Sequence, residues 1–282
     1  MHIKCWFLIV IVSLFTQRTC FAQSDSLQTQ PRNHRLSIKL SVGYGFSATN
    51  DVLGWSRVND GQNNITEKQI RGTFGQGLVT TLVLSYRAHR NLSVELGGFA
   101  NSGAEIRTEY LGSTAVTDQY QETFEKVNSN GLLVGMSVQD TLGSFELGLH
   151  NFFVCGIGNK GLERIVQVWP NDTYVQNWEY TKNLSFGWMG NISVAYLLSQ
   201  RIAFGIEGFV MLHSWSPERG ELVKYTHNNQ DSLSTVPEEY RTIEYTDNMN
   251  YSSVGPFPSR IDFSFNFPLH VAGVNVAFRY RF

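Results

Sequence analysis

The sequence predicts an all-β chain, an eight-stranded antiparallel up-and-down transmembrane β-barrel with short periplasmic turns and long extracellular β-ribbon loops. Three observations carry that prediction. The stretch from Val274 to Phe282 alternates apolar and polar residues up to a terminal aromatic carboxylate, so that Val274, Val276, Phe278, Tyr280 and Phe282 share one strand face and Asn275, Arg279 and Arg281 the other. Eight segments with this period-2 pattern follow an export-type leader. The connections between them alternate between short and long, as in barrels whose turns lie on one side of a membrane and whose loops lie on the other.

The leader comes first. His2 and Lys4 precede an apolar run from Cys5 to Phe15 broken only by Ser13, and Cys20-Phe21-Ala22 supplies small residues for cleavage before Gln23. Residues 1–22 therefore read as a signal peptide, 23–34 as a flexible periplasmic leader and 35–282 as an outer-membrane β-barrel. A lipoprotein signal at Cys20 is the rival, but Gln17, Arg18 and Thr19 do not make a small-apolar lipobox. Loss of Lys4 and Arg18 with the signal leaves 20 basic against 24 acidic residues, a balance that does not suggest nucleic acid as a partner. Cys155 is then the one cysteine left, without an intramolecular disulfide, and its strand phase makes it a small wall residue on the lipid face. No later stretch approaches the ~18 apolar residues of a membrane helix. A barrel strand needs only one apolar face, which suits a mean hydropathy of −0.19.

The first strand, Leu36 to Phe46, is the clearest, with Leu36, Ile38, Leu40, Val42, Tyr44 and Phe46 outward and Ser37, Lys39, Ser41, Gly43 and Gly45 inward. The others fall at about 74–87, 92–102, 131–139, 144–157, 184–198, 202–213 and 260–282. Arg87 to Asn91, Gln139 to Gly143 and Leu198 to Arg201 are tight turns, whereas about 47–73, 103–130, 158–183 and 214–259 are long. Asn59-Asp60-Gly61 and Pro170-Asn171-Asp172 are hairpin signals within those loops, which makes them β-ribbons. The longest loop reads as polar and offers no convincing extra strand. In the last segment Ile261, Phe263, Phe265 and Phe267 sit on odd positions but the closing stripe on even ones, so a bulge between Pro268 and Gly273 is expected to shift the phase. A ten-stranded barrel is the alternative.

The inward face reads as small and polar, including Gly75, Gly77, Gly97, Gly135, Gly148, Gly187, Gly205, Ser93, Ser137, Ser185, Asn191 and Ser193. Among these lie Glu95, Glu146 and Glu207, each a few residues past a periplasmic turn and so at similar depth. Three carboxylates at one level of a narrow lumen repel unless paired, and Lys39, Arg279 and Arg281 are the inward cations able to reach them. A structural charge network that plugs the barrel is expected. The same carboxylates could instead form the acidic ring of a narrow cation pore. A secreted lipocalin-like barrel would keep its apolar face inside, but here that face carries the bulky Phe186, Trp188, Tyr196, Phe204 and Phe278, which suit a lipid wall.

Catalytic signatures are thin. No histidine is followed by a serine two residues on, His213 and Ser214 face opposite ways, and Glu146 and His150 share a face at roughly 13 Å, too far for a dyad. His150 reads as a lumen hydrogen-bonding group. No metal-ligand cluster, phosphate-cradling motif or cofactor signature is present in the sequence. Trp55, Trp169, Trp178 and Trp215 are candidate loop contacts, although such residues also form interface girdles.

With its leader, eight strands, unequal connections and terminal Phe282, the chain resembles the generic bacterial outer-membrane β-barrel family, which includes small outer-membrane protein A- and X-type barrels and PorT-like proteins. The resemblance spans about 35–282 and implies insertion by the barrel-assembly machinery, which in that family reads the aromatic last strand, here Phe278, Tyr280 and Phe282. It implies outer-membrane lipid as the surroundings and transfers no catalytic residue. The expected function is a non-enzymatic barrel with a filled lumen whose ribbons meet an extracellular protein or glycan ligand. The alternatives are a surface enzyme using loop residues such as His213, His227 and Asp231, or a narrow pore.

Overall fold

The computed structural model describes residues 34–59, 65–113, 118–246, 260–263 and 266–282. The expected signal peptide, nearly all of the leader, and Asp60 and Gly61 of the first hairpin signal lie outside them.

Eight strands form the wall: β1 (Leu36–Ser47), β2 (Gly77–Arg87), β3 (Leu92–Gly103), β4 (Asp118–Leu142), β5 (Phe145–Val168), β6 (Thr173–Leu197), β7 (Ile202–Trp215) and β8 (Val271–Arg281). Each is antiparallel to both neighbours, and β8 pairs back onto β1 from Ser37↔Arg281 to Ser47↔Val271. The ring is closed, so no wall strand presents an open edge. At one end the links are short: residues 88–91, Gly143-Ser144 and residues 198–201. Gly143 takes φ +61, the left-handed geometry that a two-residue hairpin turn demands and glycine adopts without strain.

Alternation along each wall strand separates two faces. Leu40, Val42, Leu82, Leu84, Val94, Leu96, Val134, Phe153, Phe186, Val194, Ile206, Val276 and Phe278 all point outward and stay exposed, forming a continuous apolar belt. From Leu36 to Phe46 a tilted strand climbs roughly 25 Å, the height of a bilayer's hydrocarbon band. Cys155 lies on this outer face, half-buried between Leu132 and Phe186 on the adjacent strands.

β4, β5 and β6 run on well past the belt and build a cap. A bulge marks the transition on β5, where the register slips between Asn128 and Gly131 of β4 and Gly158 takes φ +69. Asp51–Asn59 pairs with Ile65–Gly72, and Ile106–Ser113 pairs with the outer part of β4. The loop after β7 corrects the sequence expectation. It contains a strand, Arg219–His227, paired with β6, and a second, Thr242–Thr246, paired with the first and parallel to Arg260–Phe263. A bulge between Leu222 and Lys224 breaks the alternation that would have announced it. Asn228 and Asn229 both have positive φ, a turn geometry that asparagine tolerates.

The last segment is also corrected. It is not one strand but three pieces, Arg260–Phe263, Phe267–Pro268 and Val271–Arg281, and no phase shift occurs across Pro268 to Gly273. Phe267, Leu269, Val271, Asn275, Ala277, Arg279 and Arg281 are all buried on one odd-numbered stripe. Phe267 and Leu269 face an apolar core above the belt, so their phase belongs to the interior and needs no bulge.

Candidate functional site

The interior is filled in four layers. The lowest, beside the short turns, is charged. Lys39 of β1 and Glu207 of β7 are each 1% exposed, and Nζ of Lys39 meets Oε1 of Glu207 at 2.5 Å. Ser41 donates to the other carboxylate oxygen at 2.9 Å. Between those strands β8 carries Ala277 opposite Ser41, small enough to be bridged over. On the far wall Glu95 of β3 accepts hydrogen bonds from Ser85 and Ser137, both at 2.9 Å, and from Nδ1 of His150 at 2.9 Å. His150 is on β5, and β4 between them places Gly135 beside Glu95, leaving the gap open. The third carboxylate, Glu146 of β5, reaches across the lumen to Arg279 and Arg281 of β8, the second at 2.5 Å, and Arg279 also donates to Gln139 at 3.1 Å.

The six charged lumen residues named from the sequence thus come together at one end, with Lys39 on Glu207, Arg279 and Arg281 on Glu146, and Glu95 held by Ser85, Ser137 and His150 instead of by a cation. His150, Ser85, Ser137 and Gln139 complete the layer. Their inward phase is readable along the strands, but the pairing of residues 55 apart, such as Glu95 and His150, depends on barrel closure.

Above the floor sits an apolar plug of Val79, Val83, Phe99, Leu133, Phe152, Val154, Met189, Phe209, Met211 and Val271. The sequence expectation of a small, polar inner face is corrected here, because this part of the lumen is dry. A polar ladder follows: Ser129 donates to Asn159 at 2.6 Å, Asn159 to Ser185 at 2.5 Å, and Ser185 meets Nε2 of His213 at 2.7 Å. The cap core closes the top with Phe74, Val127, Trp178, Tyr180, Trp215, Leu222, Ile243, Phe267 and Leu269. Trp215 stacks on Phe267 at 5.2 Å between ring centroids, and Phe74 meets Phe267 edge-on at 4.8 Å.

Two constellations have the order of atoms used in nucleophilic catalysis. Ser193, His150 and Glu95 line up with Oγ to Nε2 at 3.2 Å and Nδ1 to carboxylate at 2.9 Å, and Ser185 with His213 forms a second pair. Gly148 makes room for the first, since a Cβ there would lie 2.4 Å from the Ser193 hydroxyl. Both are buried inside the barrel, with Ser193 and Ser185 each 6% exposed. The cavity beside Ser193, lined also by Lys39, Glu207 and Arg279, has space for about one water. A triad needs room for an acyl group, which a space of about one water does not give.

The proposed loop contacts divide. Trp55 and Trp169 are exposed at 55% and 38%, whereas Trp178 and Trp215, at 4% and 1%, are core residues of the cap and not contact residues. Of the loop residues considered for an enzyme, His213 is buried inside β7, and His227 pairs at 2.6 Å with Asp172 across the cap tip, not with Asp231. Hydrogen bonds from His227 and Asn228 hold the Asp172 carboxyl below its ordinary range. Deeper in the cap, Glu125 of β4 stands opposite Glu163 of β5, whose carboxylate accepts from the Tyr180 hydroxyl. Burial first and the Glu163 charge second push Glu125 up to about 7, and burial raises Tyr180. Among the described residues no His, Cys, Asp and Glu group could hold a metal ion.

No family model and no curated protein matches the sequence. Solved structures do align over most of the chain. Neisserial surface protein A is 7% identical, with 88% of this chain and 97% of that one covered at a TM-score of 0.33. The attachment invasion locus protein Ail of Yersinia pestis is 9% identical over 88% and 99%, at 0.23. The outer membrane protease OmpT from Escherichia coli is 7% identical over 92% and 99%, at 0.33. The fold assignment rests on the strand pairing described above.

Proposed function

We propose that the protein is a non-enzymatic barrel of the bacterial outer membrane, exported by a cleaved signal peptide, whose filled lumen makes it a rigid post and whose ribbon cap meets an extracellular protein or glycan. The stacked filling of the lumen carries this reading. A charged floor, an apolar plug, a polar ladder and an aromatic cap fill the lumen with side chains of the described residues, which supports a post over a channel. The apolar belt supports a lipid setting, and the cap, built from strands far longer than a bilayer needs, supports a role outside it. Exposed Trp55 and Trp169 supply aromatic anchors of the kind found at binding hot spots. Phe278, Tyr280 and Phe282, at the strand that closes the ring, suit recognition by the assembly machinery.

The test is gel mobility of the outer-membrane fraction, boiled against unboiled, followed by binding to cell-surface extracts after deletion of residues 219–246. A heat-dependent shift with loss of binding on deletion is expected. A soluble, unshifted protein would overturn the membrane assignment. Labelling of Ser193 or Ser185 by a serine-reactive fluorophosphonate would overturn the non-enzymatic one.

A further inference from the structure

Asn151 puts a carboxamide where hydrocarbon is expected. It is exposed on the outward face of β5, between Leu149 and Phe153, and its phase is fixed by His150 and Phe152, which are buried in the lumen on either side. Along that face it lies midway between exposed Phe145 at the turn end and exposed Ile157 at the cap end. In an apolar band about 25 Å tall, this is the depth of the bilayer midplane. Its cross-strand neighbours are Met136 on β4, 58% exposed, and Gly190 on β6, neither of which carries a polar side chain to meet it. Among the described residues no side chain hydrogen-bonds to the Asn151 carboxamide. Thr80 on β2 also points outward, but it is half-buried and a lone hydroxyl can rotate onto a nearby backbone carbonyl. An amide brings two donor hydrogens and an acceptor, and lipid tails satisfy none of them.

A carboxamide is its own complement, because the N–H of one donates to the oxygen of a second and accepts the same bond in return. Copies of one chain inserted in one membrane share an orientation, so a two-fold axis along the membrane normal brings each residue on it back at its own depth. We propose that two copies of this barrel pair side by side through β4, β5 and β6, with Asn151 of one hydrogen-bonded to Asn151 of the other at the midplane. The wall beside Asn151 suits that approach. Gly190 projects no side chain, and the Trp188 ring leans over it, since a Cβ there would lie 2.5 Å from the indole. The axis sets the β4 side of one copy against the β6 side of the other, so projecting Met136 faces this recess and its flexible stem takes up the strand tilt. Two caps held side by side would present their outer surfaces to a ligand bivalently.

This inference rests on the membrane reading above, and the experiment separates the two. The full mature chain is folded into density-matched detergent micelles and its mass followed by sedimentation equilibrium as the protein-to-detergent ratio rises, with folding read by the heat-dependent gel shift. Wild type is expected to pass from monomer to dimer mass. N151V, which gives the lipid face an apolar residue and disturbs no lumen contact, is expected to keep the gel shift and to weaken the dimer about tenfold. N151Q, which keeps the carboxamide, should dimerise nearly as wild type does. Should wild type stay monomeric at every ratio while shifting normally, the dimer proposal fails and the barrel stands. A dimer equally strong in N151V would also overturn it. No gel shift in any protein would instead refute the membrane reading.

Discussion

Replacing Lys39 by Met tests whether the lumen floor is held by its ion pairs. Lys39 and Glu207 are each 1% exposed and 2.5 Å apart, and with the ammonium gone Glu207 keeps the Ser41 hydroxyl as its remaining close donor. Removing one member of a buried pair leaves a desolvated charge and costs about 3–5 kcal/mol. Replacing both, as in Lys39→Met with Glu207→Leu, removes the desolvation penalty together with the attraction, and such exchanges are often neutral or better. The two changes are therefore expected to be strongly non-additive, with the double variant more stable than K39M by about 3 kcal/mol or more. The assay is urea unfolding in lipid vesicles, read by the fraction of the fast-migrating band. With a urea slope of about 1–3 kcal/mol/M, the K39M midpoint should fall by at least about 1 M. Arg279 lines the same cavity but is held by Glu146. A loss below about 1 kcal/mol in K39M, or additivity in the double variant, would refute pairwise pinning of the floor.

Glu125, outside the membrane band, has a folded-state pKa of about 7 against an ordinary 4.5. A raised carboxyl favours folding only while protonated, so this contribution is complete below about pH 4.5 and is lost as pH rises through 7, with a ceiling of about 3 kcal/mol that its partial exposure reduces. Glu125→Gln should flatten the pH dependence of cap unfolding and stabilise the cap at mildly alkaline pH, as followed by tryptophan fluorescence in urea. Phe152→Ala, deep in the apolar plug, should cost about 3–5 kcal/mol in vesicle unfolding, and planar-bilayer recordings should still show no steady conductance because the floor and cap remain. Cys155, facing the belt, should react with a membrane-permeant maleimide and resist a charged one in folded protein, and lose that selectivity on unfolding.

The wall was legible in the sequence and the cap was not, for a physical reason. In β1, a greasy stripe alternates with Lys39, Ser41, Gly43 and Gly45, so lipid and lumen impose opposite chemistry and period 2 is plain. Higher up, both faces are apolar. Leu132, Leu133 and Val134 run together because Leu133 packs in the plug while its neighbours face lipid, and Phe267 reads as an apolar stripe residue although it packs in the cap core. Composition marks a dry environment without saying which dry environment. The strand Arg219–His227 escaped notice because its bulge doubles the step at Val223, and Trp178 and Trp215 read as loop anchors because a polar-looking segment hid a second core. At the floor, the inward phase of Glu95, Glu146 and Glu207 could be read along each strand. Their partners could not, since Glu95 reaches past β4 and Glu146 reaches across the lumen.

The distribution of floor charges bears on how the ring closes. Lys39 lies on β1 and Arg279 and Arg281 on β8, the strands farthest apart in sequence, which meet at the closure seam. The carboxylates lie on β3, β5 and β7, in the arc the seam must join. A slip of one residue at the seam would turn Lys39 or both arginines into lipid, where a charge costs several kcal/mol. A slip of two would keep them inside but shift each by roughly 7 Å along the strand, away from Glu207 or Glu146. The apolar plug does not discriminate in this way, because hydrophobic contact is non-directional and Val271 could pack against several neighbours. Burial in the plug and cap therefore supplies stability without choosing a register. The floor makes the choice, since only one alignment of β8 on β1 satisfies Glu146 and Glu207 together, and the rigid post that the cap stands on depends on it.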